Sequence, residues 1–119
     1  MLAFLTGGTA MAVKDVRGDW TIQQSTGHVV QIHIDNQDDD GTFASPQNTA
    51  DYPGEHGTID DAKATDQEIS FRVNWSGGAR GRYVGRFDFQ GRLTGNGFDE
   101  ANPTVQCTWA CTSKTFGNR

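Results

Sequence analysis

Residues 69–75 read Ile-Ser-Phe-Arg-Val-Asn-Trp, so that Ile69, Phe71, Val73 and Trp75 alternate without a break with Ser70, Arg72 and Asn74. Strict period-two alternation is the signature of a strand buried on one face. The pattern recurs along the chain. Val30, Ile32 and Ile34 oppose Gln31 and His33; Gly81, Tyr83, Gly85, Phe87 and Phe89 oppose Arg80, Arg82, Arg86 and Asp88; Val105, Cys107, Trp109 and Cys111 oppose Thr104, Gln106, Thr108 and Ala110. No stretch carries the 3.6-residue period of an amphipathic helix. Turn signals fall between the runs, at Thr26-Gly27, Asp40-Gly41, Gly77-Gly78, Gln90-Gly91 and Asn102-Pro103. Residues 45–66, with Pro46, Pro53, Gly54 and Gly57, read as the irregular part, one or two short strands and a long loop. Glycines also stand inside the runs, at Gly81, Gly85, Gly95 and Gly97. In a strand interior Gly marks a sharp bend or the close approach of another backbone, and small closed barrels use both. The expected fold is all-β, a small antiparallel up-and-down barrel of about seven to eight short strands.

The length of 119 residues fits one domain, assigned to residues 17–119. Only 34% of the residues are hydrophobic, but 10% are aromatic, so a small core can be built on rings. No apolar run approaches the twenty residues of a transmembrane helix, and no membrane partner is expected. The net charge of −5 is unevenly placed. Residues 1–68 hold twelve Asp/Glu and three Lys/Arg, whereas residues 69–119 hold three and seven. The acidic total argues against a duplex-DNA binder, whose affinity comes from neutralising phosphates. Arg80, Arg82, Arg86 and Arg92, interleaved with Tyr83, Phe87 and Phe89, have the composition of a single-strand nucleic-acid platform. The alternation works against that reading, because it separates the rings from the arginines.

Residues 1–16 form an apolar leader with the flavour of a signal-peptide remnant: Leu2, Phe4, Leu5, Met11 and Val13 are apolar, and Ala10-Met11-Ala12 resembles a small-x-small cleavage site. This points to a secreted or extracytoplasmic protein, and Asn74-Trp75-Ser76 is a glycosylation sequon in such a setting. Gly7-Gly8 divides the leader, so at least one piece is expected to be extended and to cover an apolar patch or strand edge, in its own barrel or in a neighbouring subunit. The two cysteines, Cys107 and Cys111, stand about 13 Å apart on one strand face, too far to bond each other. They are two free thiols or one contact between chains. With His28, His33 and His56 dispersed, no metal site and no cofactor are expected. Asn36–Gly41 imitates the first half of a calcium loop but has Gln47 where the bidentate acid belongs, and an acidic turn explains the same residues. Asp60-Asp61 and Asp99-Glu100 are adjacent in strands, which sends each pair to opposite faces and leaves no catalytic carboxylate couple. No catalytic residue is assigned.

The tryptophans are the most informative residues. Trp20 opens the first strand, and Trp75 and Trp109 lie on the inward series of two others, with Tyr83 on a third. Buried rings in a small barrel either fill its core or wall a ligand cavity. Gly18-Asp19-Trp20 resembles the Gly-x-Trp opening of the calycin barrels. Gly41-Thr42-Phe43-Ala44-Ser45, Ile69–Trp75, Gly81-Arg82-Tyr83-Val84-Gly85 and Val105–Trp109 resemble the avidin and streptavidin family in the same order. That resemblance implies an eight-stranded barrel, often tetrameric, with a biotin pocket at one mouth. Phe43 and Ser45 would then match a ring and a hydroxyl at the ureido end, Trp75 and Trp109 two wall tryptophans, and Cys111 a wall leucine. The sequence departs from the family at Ile22, where a polar side chain belongs, and in its short loop after Trp75.

The expected function is a non-enzymatic module binding a small molecule or glycan in a tryptophan-lined mouth, with Phe43, Ser45, Trp75, Tyr83, Trp109 and Cys111 as candidate ligand-binding residues. The alternative is a structural subunit with a filled barrel and no ligand, forming a homo-oligomer through the leader or a barrel face.

Overall fold

The computed structural model describes residues 12–119. Its strands are β1 (Gly18–Gln24), β2 (Val29–Ile34), β3 (Thr49–Tyr52), β4 (Glu55–Ala64), β5 (Glu68–Trp75), β6 (Arg80–Phe87), β7 (Leu93–Asp99) and β8 (Asn102–Cys111). Each pairs antiparallel with the next, and β8 returns to β1 through Ile22 opposite Cys111 and Gln24 opposite Trp109. The result is the expected closed up-and-down barrel, with eight strands. The apolar sets of the alternating runs point inward: Trp20 and Ile22, then Val30, Ile32 and Ile34, then Ile69, Phe71, Val73 and Trp75 are all buried.

Several local expectations are corrected. Phe89 is not inward; β6 ends at Phe87, and the turn held by Asp88 leaves Phe89 95% exposed. Val105 is 56% exposed because the first residues of β8 overhang the barrel. Asn102-Pro103 begins β8, and the turn lies one step earlier at Glu100-Ala101. The irregular stretch falls earlier than residues 45–66, since the loop spans 35–48 and residues 49–64 form β3 and β4 around Pro53-Gly54.

Asp60 and Asp61 do not face opposite ways. A bulge interrupts the pairing of β4 with β5 between Asp60 and Lys63, and Asp61 takes a positive φ of 43°. An extra residue at a bulge resets the alternation. Both carboxylates therefore meet arginines on the outer face: Asp60 pairs with Arg72 at 2.7 Å and Asp61 with Arg82 at 2.6 Å, while Glu100 bridges the two arginines. Arg86 pairs with Glu68 and Arg92 with Asp88. The basic second half of the chain is thus laid largely against carboxylates, and these arginines do not form a free cationic platform.

One end of the barrel is sealed. The β2–β3 loop, the segment Val13–Arg17 and the tail after Cys111 converge there. Phe116 packs edge-on against Trp20 at 5.2 Å and against Phe87 at 5.5 Å, and the Trp20 indole N–H donates to the Val16 carbonyl. Two buried amides fasten the seal. Gln37 accepts from Val16 N and donates to the Lys14 carbonyl; Asn48 accepts from Asp35 N and Asn36 N and donates to the Asn36 and Phe43 carbonyls. The acids of Asn36–Gly41 serve the local turn, in which Thr42 donates to Asp38 and Asp40. The placement of the leader's residues 1–11 lies outside the described residues; Val13 is buried and its carbonyl accepts from Arg119 N.

The strand glycines create the close approaches that the sequence suggests. Gly85 pairs with Gly95, and the Trp109 ring lies across them. A Cβ at Gly95 would stand 2.0 Å from the Val84 carbonyl oxygen and 2.7 Å from Trp109 Cζ2. Backbone cannot yield as a side chain can, so Gly95→Ala is expected to lower stability by about 1–3 kcal/mol in chemical denaturation. Gly117→Ala, where nothing lies within 4 Å, should change it by less than about 0.5 kcal/mol. On the outer face, the Asp19 carboxylate bonds His33 Nδ1 and raises its pKa above the ordinary 6.5. A raised folded value means that the pair's stabilisation is present below about pH 6.5 and fades as pH rises through the folded pKa. An NMR titration should place the His33 midpoint above 6.5, and Asp19→Asn should bring it back down.

Candidate functional site

The opposite end of the barrel is open. It carries the short turns β1–β2, β3–β4, β5–β6 and β7–β8. Beneath it lies a cavity of about 230 Å³, walled by Tyr52, Trp75 and Tyr83 together with Gln24, His28, Asp99 and Cys107. The inward series of the strands explain this composition. Trp20 and Ile22 of β1 lead to Gln24; Ile34, Ile32 and Val30 of β2 lead back to His28; Ala50 of β3 leads to Tyr52; Leu93 of β7 leads through Gly95 and Gly97 to Asp99. Each series is apolar in the barrel's body and polar or amphipathic at its rim.

The cavity's floor is a solid aromatic layer. Phe71, fully buried, stacks on Tyr83 with ring centroids 5.1 Å apart and meets Trp20, Phe43 and Trp109 within 6.4 Å. Above it, Tyr52 stands edge-on to Trp75 at 4.8 Å, and His28 lies 5.3 Å from Tyr52. Space among these rings is kept by glycines. A Cβ at Gly81 would come within 3.0 Å of Tyr83 Cε1 and 3.4 Å of Trp75 Nε1, and one at Gly97 within 3.1 Å of Cys107 Sγ. The polar groups are oriented. Gln24 Nε2 donates to the Tyr83 hydroxyl at 2.8 Å, and the Tyr52 hydroxyl donates to Glu55 at 3.0 Å, whose other oxygen accepts from Gly77 N. Burial is the largest influence on Tyr83, Tyr52 and Cys107, and it raises the pKa of all three, which stay neutral near pH 7.

The six residues singled out in the sequence do not gather at one place. Trp75 and Tyr83 line the mouth. Trp109 lies one layer deeper, with its indole N–H bonded to the Asn96 carbonyl at 2.9 Å and its ring against Tyr83. Phe43 and Ser45 sit in the β2–β3 loop at the sealed end, Phe43 packing on Phe71 and Ser45 bonding within its own turn through Gln47 N. Cys111 pairs with Ile22 and directs its sulfur to the Lys114 carbonyl, also toward the sealed end. Both cysteines are free, and Cys107 is the one at the mouth. Gln24, His28 and Tyr52 were not singled out in the sequence, although following each alternating series to its last member points to all three.

A wider groove of about 1100 Å³ crosses the outer face of β5–β8, between Ser70, Val84, Thr94, Asn96 and Thr108. It is open and lined mainly by short outward side chains, with ring surface only from Trp109 behind Gly85 and Gly95. The mouth is the stronger candidate, being lined by several rings with polar side chains among them. No protein-family profile, curated protein or solved structure matches this chain.

The Gln24–Tyr83 bond is the one polar tie between β1 and β6 across the mouth. Tyr83→Phe should therefore cost about 0.5–1.5 kcal/mol in urea denaturation while the Phe71 stack is kept.

Proposed function

We propose that this protein is a non-enzymatic binding module that takes a small molecule, or one sugar residue of a glycan, into the aromatic mouth of its barrel. The observation that carries the reading is the contrast between the two ends. One is closed by Val16, Phe43, Phe116 and the amides of Gln37 and Asn48. The other leaves about 230 Å³ between the rings of Tyr52, Trp75 and Tyr83, with Gln24 at the rim. Rings at that spacing give a flat ligand large contact area, and a few fixed polar groups orient it. A cavity of this size suits a ligand of one or two rings. The phenols of Tyr52 and Tyr83 and the thiol of Cys107 are held neutral at the mouth by burial, which favours binding over chemistry. The resemblance to the avidin family puts biotin among the ligands to be tried.

A second reading, an assembly subunit with a filled barrel, is favoured by the outer groove of β5–β8. Its middle is uncharged, with Val84 and Thr94 exposed, as a face shared between copies would be.

The test is tryptophan fluorescence titrated with biotin, monosaccharides and hydrophobic dyes, with light scattering on the same samples. A binding module gives a saturable shift with one of them, and Gly81→Val, which fills the space beside Tyr83, removes it. No shift with any compound, together with one uniform oligomer, supports the assembly reading and overturns the first.

A further inference from the structure

The mouth has a charge as well as a shape. Among the described residues no Lys or Arg lines it and His28 is its one basic side chain, although the adjoining strands carry several arginines. Arg72 and Arg82 are turned outward and occupied by Asp60, Asp61 and Glu100. Asp99, in contrast, is in the lining, and its Oδ1 accepts only from Ala101 N. It has no ion-pair partner among the described residues. Glu55, behind Tyr52, likewise spends its two oxygens on neutral donors, the Tyr52 hydroxyl and Gly77 N.

The rings reinforce this negative character. Tyr52 and Trp75 stand at 72° to each other, and Tyr83 closes the side across Gly81. The rings of Tyr52, Trp75 and Tyr83 all line the cavity, and a cation seated over an aromatic face is attracted by its quadrupole. The hydrogen bond from the Tyr52 hydroxyl to the Glu55 carboxylate pushes electron density into that ring and strengthens the effect. A bare ammonium gives up strongly bound water on entering a cavity walled by rings. Methyl groups on the nitrogen lower that cost and fit the apolar surface.

Resting on the reading of the mouth as a ligand site, we propose that its ligand class is a methylated ammonium headgroup, caged by Tyr52, Trp75 and Tyr83 and balanced by Asp99. Such a headgroup occurs on small choline-like molecules and on trimethylated lysine side chains. The chemistry recognised is the same in both.

The experiment titrates the full chain with tetramethylammonium, choline and N-acetyl-trimethyllysine amide, following tryptophan fluorescence at constant ionic strength. The neutral isostere 3,3-dimethylbutan-1-ol is the control. The expected result is saturable binding of the ammonium compounds, about threefold to thirtyfold tighter than of the alcohol. Choline binding more tightly than the lysine derivative assigns the small-molecule source, and the reverse order assigns the side chain. Asp99→Asn keeps an acceptor for Ala101 N and should weaken the ammonium compounds severalfold while leaving the alcohol unchanged. Equal binding of the alcohol, or an unchanged preference in Asp99→Asn, overturns the proposal. If sugars, biotin or dyes saturate the mouth and the ammonium compounds do not, the cation proposal falls alone. If nothing binds, the ligand-site reading falls with it.

Discussion

An eight-stranded barrel has an interior just wide enough for side chains to fill or for one small ligand, and here Phe71 takes the middle of it. From that position it touches Trp20 and Phe43 on the sealed side and Tyr83 and Trp109 on the open side. Every other feature of the interior is arranged around this one ring. The sealed end is the continuation of its packing through Trp20 to Phe116, and the cavity is what remains above Tyr83 once the layer is full. A single buried residue thus divides the barrel into a sealed half and an open half.

The glycines are the counterpart of the rings. Trp109 can lie flat within the wall only because Gly85 and Gly95 present no side chains there, and Trp75 sits over Gly57, where a Cβ would stand 3.0 Å from its ring. Volume given up in the strands is filled by indoles reaching across from their neighbours, a mixture of large and small residues that suits a narrow interior. This helps a chain that is only 34% hydrophobic form a core: large rings, with Trp75, Tyr83 and Trp109 seated against strand glycines, supply much of its volume.

The outer face follows different physics. The arginines and carboxylates that the sequence segregates into two halves are interleaved by the meander, with β4 acids beside β5 and β6 arginines. Arg82, its side chain only 13% exposed, holds the Asp61 carbonyl and carboxylate as well as Glu100, and so fixes the β4 bulge. Partly buried pairs that share hydrogen bonds are worth more than isolated surface pairs, because their geometry is already set by the strands.

The sequence by itself determined the fold class, because period-two alternation admits only half-buried strands and interior glycines favour a closed, tightly curved sheet. It also determined which residues face inward over most of β2, β5 and β6, since alternation is a property of one strand at a time. It could not determine which end of each strand reaches the mouth, or that Phe43 and Ser45 belong to the opposite end from Trp75. Nor could it show that a bulge turns Asp60 and Asp61 to one face. Those facts depend on register and on how far one strand overhangs the next, quantities set jointly by two strands and by the packing between them. The candidate site is made of the last inward residue from several strands, and only closure of the barrel brings those residues together.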